Sequence, residues 1–272
     1  QAINEAMREE MERDERVFLI GEDVDLFGGV YKLSEGLVER FGARRVRGTP
    51  ISEAAFTGLA TGAAMAGLRP IVEIMYFDFV MVAMDQVVNQ LAKVRYMSGG
   101  RVTTPVVVRG QFGSGTAEAA QHSQHLESWF CHVPGLKVVM PSCCYDAKGL
   151  LKSAIRDDDP VIYLENRVLY FREEEAPEGE WLVPIGRAAI RRPGSDLTVV
   201  ALSESVATTL AAAERLAGRA SLEVVDPRTL HPLDMETILA SVAKTGRLLV
   251  VHQAVTRGGL GLIAVVEGDA VR

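Results

Sequence analysis

The 272 residues, nearly half of them hydrophobic, are enough for about two domains with real cores. A formal charge of −7, from 36 acidic against 29 basic side chains, comes without a basic stripe carrying interleaved aromatics, which argues against a nucleic-acid partner. No apolar run reaches the ~20 residues of a membrane span, no secretory signal is visible, and three cysteines, two of them adjacent (Cys143, Cys144), suit a reducing compartment better than a disulfide framework.

The chain opens without Met, directly in a helical pattern (Ala2, Ile3, Ala6, Met7), consistent with a missing leader or first turn. That helix is expected to end near Asp14-Glu15, and Val17-Phe18-Leu19-Ile20 reads as a buried strand stopping at Gly21. Glu22 and Asp23 follow at its carboxyl end, where ligands gather in an open parallel sheet. A short helix is expected from Leu33 to Phe41, closed by Gly42. Next comes Thr49-Pro50-Ile51-Ser52-Glu53, a strand-like exit, a proline turn and a helix start. Pro50 disfavours helix at Thr49, Ser52 is a good N-cap, and Glu53 suits the positive end of the helix dipole. The helix that follows is rich in small residues (Ala54, Ala55, Gly58, Ala60, Gly62, Ala63, Ala64, Ala66, Gly67), so another backbone or a flat ligand can approach it closely.

Pro70 to Met75 reads as a second strand, and Val80, Ala83, Met84, Val87, Val88, Leu91 and Val94 predict one long helix from about Asp78 to Met97. Pro105 to Arg109 is a third strand; Gln111 to Gln124 is a polar Gly/Ser/Gln/His loop of a kind more often functional than idle. Leu136 to Met140, a helix from Tyr145 to Arg156, and Pro160 to Glu165 complete an alternation that implies βαβ units and a parallel sheet covered on both faces. This first domain is set at residues 1–171, with a Glu-rich linker carrying Pro177 and Pro184 at 172–184 and a second α/β domain at 185–272. In the second, strands are expected at Leu197–Leu202, Leu222–Val225 and Leu248–His252, with helices at Ser205–Leu216 and Leu233–Ala243 and a last one opened by Gly258-Gly259. Its layer looks incomplete at Arg272.

The turn Gly21-Glu22-Asp23-Val24 has one glycine and two acids where a nicotinamide site needs Gly-x-Gly-x-x-Gly, which disfavours a stand-alone nucleotide-binding module. Neither a Walker A lysine loop nor a Gly-x-Ser-x-Gly elbow occurs. His122, His125, Cys131 and His132 match no zinc-ligand spacing, and His122, in the unpatterned loop, suits acid–base or hydrogen-bonding work better.

Six blocks occur in order: Gly21-Glu22-Asp23-Val24, Thr49 to Glu53, Gly67-Leu68-Arg69-Pro70-Ile71, Gln121-His122-Ser123-Gln124, Pro134 to Val139, and Asp146-Ala147-Lys148-Gly149-Leu150. Together they resemble the beta chain of the thiamine-diphosphate-dependent decarboxylating component of 2-oxo acid dehydrogenase complexes, over nearly the whole chain. Pyruvate, branched-chain and acetoin dehydrogenases share this chain. The resemblance implies a pyrimidine-binding transketolase-like α/β domain followed by a truncated α/β domain of the transketolase C-terminal type.

It also implies roles. Glu53 would hydrogen-bond the pyrimidine N1′ of thiamine diphosphate, which requires a carboxyl that holds or shares a proton; a dry, close-packed pocket favours that state. Phe79 would stack on the pyrimidine, Met75 and Ile51 would wall it, and Glu22 would lie nearby. His122 would face the reactive carbon. Oxygens of Val106, Ala154, Ile155, Asp157 and Asp159 match a structural potassium site, although Asp159 stands where many relatives have Asn.

One block is missing: Gly-Asp-Gly followed by Asn, which binds Mg2+ and the diphosphate; Gly268-Asp269-Ala270 lacks its context. The diphosphate half and Mg2+ are therefore expected on an alpha subunit in an α2β2 heterotetramer, with a lipoyl-bearing dihydrolipoyl acyltransferase accepting the acyl group. Pyruvate is the first-choice substrate. Acetoin is the rival, because Glu73 to Phe79 and Val82 to Gln86 look similar to both acetoin and pyruvate types. A non-catalytic scaffold subunit is the reading from another class. Composition suits a bacterial cytoplasm, with the mitochondrial matrix as alternative.

Overall fold

The computed structural model describes residues 1–261. Helix α1 (Ala2–Arg13) leads into β1 (Val17–Glu22); α2 (Leu37–Phe41), β2 (Val46–Thr49), α3 (Glu53–Met65) and β3 (Arg69–Ile74) follow. Then come α4 (Ala92–Met97), β4 (Val107–Phe112), α5 (Glu127–Cys131), β5 (Lys137–Val139), α6 (Cys144–Arg156) and β6 (Val161–Asn166). The second half carries β7 (Ala189–Arg192), β8 (Leu197–Ala201), α7 (Glu204–Arg215), β9 (Leu222–Asp226), β10 (Thr229–His231), α8 (Met235–Thr245) and β11 (Leu248–Val251).

The large sheet has the order β10-β5-β6-β4-β3-β1-β2, parallel except at β10. Alternation along its strands makes two cores. Phe18, Ile20, Val72, Ile74, Val108, Ile162 and Leu164 face α3 with Phe56, Ala60 and Ala64. Val17, Leu19, Ile71, Val107, Val161 and Tyr163 face α1 and α6 through Met7, Met11, Leu150 and Leu151. Both faces are dry, which is why the strands read as near-continuous apolar runs. The smaller sheet, β11-β8-β9-β7, is parallel except for β7.

Several expectations need correction. The predicted helix from Asp78 to Met97 is three pieces: a 3₁₀ segment Phe77–Ala83, a π-helical segment Asp85–Leu91, and α4. The buried residues explain it. Phe77, Val80 and Ala83 are three apart, the 3₁₀ period, whereas Ala83, Val87 and Leu91 are four apart. The third strand runs to Phe112, so Gln111 belongs to it and the loop is shorter than expected. The helix expected from Leu33 begins only at Leu37, behind Gly36 in a left-handed conformation.

Three edge strands were not foreseen: β2, of which only the strand-like exit at Thr49 was read, β7 and β10. The last comes from the second half yet pairs antiparallel with β5, covering an edge that would otherwise expose unpaired backbone groups. The linker is coil but tied down. Val183 is buried, its carbonyl accepts from Ser153 Oγ at 2.7 Å, and Trp181 stacks on Tyr145. The helix expected from Gly258-Gly259 and the Gly268-Asp269-Ala270 segment lie largely or wholly outside the described residues.

Candidate active site

The carboxyl ends of β1 and β3 and the start of α3 meet at one end of the large sheet. Glu22, the last residue of β1, is 4 % exposed, and its Oε1 has no hydrogen-bond partner among the described residues. Glu53, the first residue of α3, is 5 % exposed. Ser52 is the N-cap residue, but its side chain makes no capping bond, so the local signal located the helix start and not its bonding.

Burial pushes the Glu22 carboxyl up to about 7, and the neighbouring charges of Glu53, Asp23 and Glu73 push the same way. Near neutrality Glu22 therefore holds a proton about half of the time, beside a second buried carboxyl. Sequence reasoning placed the proton on Glu53. The structure raises the Glu22 carboxyl beside it.

Around this pair several buried polar atoms lack partners among the described residues: Thr49 Oγ1, Thr57 Oγ1 and Gln86 Oε1 besides Glu22 Oε1. Buried polar groups are normally satisfied. Ile51, next to the pair, is 82 % exposed, so it walls nothing within this chain. Orphaned donors and acceptors beside two buried carboxyls, one of them raised to about 7, and an open apolar rim fit a flat heteroaromatic ring bearing ring nitrogens.

Met75 and Phe79 follow β3 and are half-buried, with Phe79 packed against the α3-side core. His122 sits with its ring edge-on to Phe79 at 5.4 Å and to Tyr76 at 5.0 Å between centroids. The structure thus brings the expected pair Phe79 and His122 together, and adds Tyr76. The Tyr31 hydroxyl donates to Tyr76 at 3.3 Å, and the Tyr31 ring lies 5.3 Å from Tyr170.

On the opposite sheet face a buried ionic triad runs across three strands. Arg109 donates to both oxygens of Glu165, at 2.6 and 2.7 Å, and to Glu73 on its other side. Tyr170 donates to Glu165 at 2.5 Å. Burial pushes the Glu73 carboxyl up, offset by Arg109.

The loop bearing His122 is anchored by residues that sequence reasoning missed. Asp78 is 2 % exposed and accepts from the Gln124 N–H at 2.9 Å. Arg167, fully buried at the end of β6, donates to the main-chain oxygens of Gly113 (2.7 Å) and His122 and to Glu118. Each is a charged residue inside an aromatic or apolar run, Phe77-Asp78-Phe79 and Arg167-Val168-Leu169-Tyr170-Phe171, and that was the available signal.

The five expected potassium positions gather where α6 meets β6, but protein cations already use their oxygens. Arg69 donates to the carbonyls of Ile155 (2.9 Å) and Asp157 (2.7 Å). Lys137 donates to both carboxylate oxygens of Asp157 at 2.7 Å and lies 3.2 Å from Asp159, which also pairs with Arg95. The Val106 and Ala154 carbonyls accept from the N–H groups of Val161 and Asp157. Each of these carbonyls keeps a second lone pair beyond the protein partner it already has. Among the described residues no three His, Cys, Asp or Glu side chains gather to hold a metal ion.

The family described as transketolase, pyrimidine binding domain, matches residues 1–172, and that described as transketolase, C-terminal domain, matches residues 186–267. The chain is 50 % identical over 262 residues to the pyruvate dehydrogenase E1 component subunit beta of Rickettsia conorii, covering 96 % of this chain and 80 % of that one. It is 50 % identical over 277 residues to the human mitochondrial subunit of the same name, covering 99 % and 77 %. Against the Rhizobium meliloti subunit it is 49 % identical over 263 residues and spans 57 % of that relative's length. Among solved structures, a split-gene transketolase in an inactive beta4 tetramer superposes with a TM-score of 0.82 at 24 % identity, over 100 % of this chain and 84 % of that one. The transketolase from Leishmania mexicana gives 0.72 at 17 %, over 94 % and 38 %. At such identities these two speak for the fold.

Proposed function

Because the chain belongs to the family of pyruvate dehydrogenase E1 component beta subunits, built on transketolase-type domains, we propose that it is the beta subunit of a thiamine-diphosphate-dependent 2-oxo acid dehydrogenase, acting on pyruvate. The observation that carries this reading is the buried Glu22–Glu53 pair at the mouth of α3, with the Glu22 carboxyl raised to about 7 beside unsatisfied polar atoms. When bound, thiamine diphosphate supplies the nucleophilic carbon for decarboxylation. Glu53 would hold the pyrimidine N1′ through a hydrogen bond, and Glu22, raised to about 7, would hold a proton beside it about half of the time near neutrality. Phe79 and Met75 would present the apolar surface for the pyrimidine, and exposed Ile51 would complete the wall at the open rim. His122, fixed edge-on between Tyr76 and Phe79, hydrogen-bonds the substrate carboxylate or serves acyl transfer to the lipoyl arm.

The diphosphate and Mg2+ belong to an alpha subunit in an α2β2 assembly. Supporting this, large apolar side chains stand exposed on the elements that carry the site: Leu26, Phe27, Ile51, Leu59, Met81 and Val82. Such a grouping marks a surface that another chain covers. A lipoyl-bearing dihydrolipoyl acyltransferase then accepts the acyl group. No helix among the described residues is long and apolar enough to cross a membrane. The bacterial cytoplasm is the proposed compartment, with the mitochondrial matrix as alternative.

Replacing Glu53 by Gln in the assembled α/β enzyme tests the assignment, with proton exchange at the cofactor's C2 as readout. We expect exchange to slow by about 100-fold or more; an unchanged rate would favour a non-catalytic scaffold subunit. A substrate panel on the same assembly separates the dehydrogenase types. Oxidation of acetoin with no turnover of pyruvate would overturn the choice of substrate.

A further inference from the structure

Resting on the functional reading above, we propose that Arg167 is a positioning residue for His122, acting through the main chain of the 113–125 loop and through the ring of Tyr76.

The loop leaves β4 through Gly113 and passes Gly115, Ala117 and Ala119, all with positive φ (95°, 111°, 58° and 63°). Two alanines in the left-handed region are costly for residues with a Cβ and persist only where surroundings impose them. Arg167 supplies that constraint. Its guanidinium is fully buried and spans the loop: it donates to Gly113 at the start, to Glu118 between the two left-handed alanines, and to the His122 carbonyl at the end. A planar fork with five donors can serve three acceptors in fixed directions, and no other side chain offers that geometry.

The same guanidinium lies over the Tyr76 ring at 4.9 Å, and Tyr76 packs edge-on against the His122 imidazole. Arg167 therefore bounds His122 from two sides, by its backbone oxygen and by the ring on which it rests. Asp78 closes the loop at Gln124. The influence of Arg167 is on where the imidazole stands.

The test uses the assembled α/β enzyme carrying Arg167→Met, Arg167→Lys, His122→Ala, and Arg167→Met with His122→Ala. Displacing a reacting group by about 1 Å costs on the order of 100-fold, so we expect Arg167→Met to lower kcat about 10- to 100-fold with little change in KM for the cofactor. Arg167→Lys recovers part of the loss, because an ammonium keeps charge and donors but not the fork. In the His122→Ala background, Arg167→Met costs no more than about threefold further, since groups acting as one unit are not additive. Independently of turnover, Arg167→Met speeds amide hydrogen exchange across residues 113–125 by about tenfold or more, with β4 and β6 unchanged. Full multiplication of the two losses, or unchanged exchange in the loop, overturns the proposal. If the wild-type assembly turns over no 2-oxo acid, the functional reading falls, and the exchange measurement alone then decides on Arg167.

Discussion

Glu22 and Glu53 present the residue-scale question of how two carboxyls can sit together in a dry pocket. With the Glu22 carboxyl raised to about 7, its native state keeps a proton that the unfolded chain has already lost. Stability linked to Glu22 is then fully present below its unfolded pKa of about 4.5 and is lost as pH rises towards and through 7. Glu22→Gln removes that dependence without removing a hydrogen bond to Oε1, which has no partner among the described residues. Between about pH 5 and pH 8 the melting temperature of the variant should therefore fall less with rising pH than that of the parent chain, the other buried groups such as Glu127 and His125 contributing equally to both. Parallel slopes for the two would contradict the assigned protonation. The sequence marked both positions, but that the Glu22 carboxyl is raised depends on burial and on the charges of Glu53, Asp23 and Glu73, a matter of three-dimensional neighbours.

At the scale of elements, the triad Glu73–Arg109–Glu165 ties β3, β4 and β6 together on a sheet face otherwise packed with apolar side chains. Removing one partner from such a group leaves uncompensated charge, whereas removing all charges together is far milder. Arg109→Met is expected to cost about 3–5 kcal/mol in urea unfolding of the full chain, and adding Glu73→Gln with Glu165→Gln should recover part of it. A loss below about 1 kcal/mol for Arg109→Met would mean that the triad is solvated. The strands themselves were legible because both sheet faces are buried and each strand is one apolar run. The segment after β3 was not, since a helical average over Val80 to Val94 hides a change of burial spacing from three to four at Ala83. The Glu and Arg of the triad could be read from single strands only as isolated charges.

Across the whole molecule, the two halves are joined by more than a linker. β10 finishes the large sheet from the second half, and Arg191 bridges Asp226 in the second half to fully buried Asp146 in the first. The Ser142 hydroxyl donates to Asp226 at 2.5 Å. Yet the site end of the first sheet stays open, rimmed by Phe27, Ile51 and Val82. The purified single chain with thiamine diphosphate and Mg2+ is therefore expected to show no decarboxylation of pyruvate, and addition of an alpha subunit carrying the Gly-Asp-Gly…Asn block to restore it. Measurable turnover by the single chain would refute the shared-site arrangement.

By itself the sequence determined the alternating α/β class and the membership carried by six ordered blocks, because these depend on local spacing and residue type. Tertiary structure alone decided which residues meet: Glu22 with Glu53, His122 with Tyr76 and Phe79, and Arg167 with a loop 45 to 54 residues away in sequence. It also decided that Arg69 and Lys137 occupy oxygens expected to face potassium. The physical reason is the same in each case. Hydrogen bonding, burial and charge coupling act over a few ångströms in space, and no periodicity along the chain records which distant side chains the packed sheet will bring within that reach.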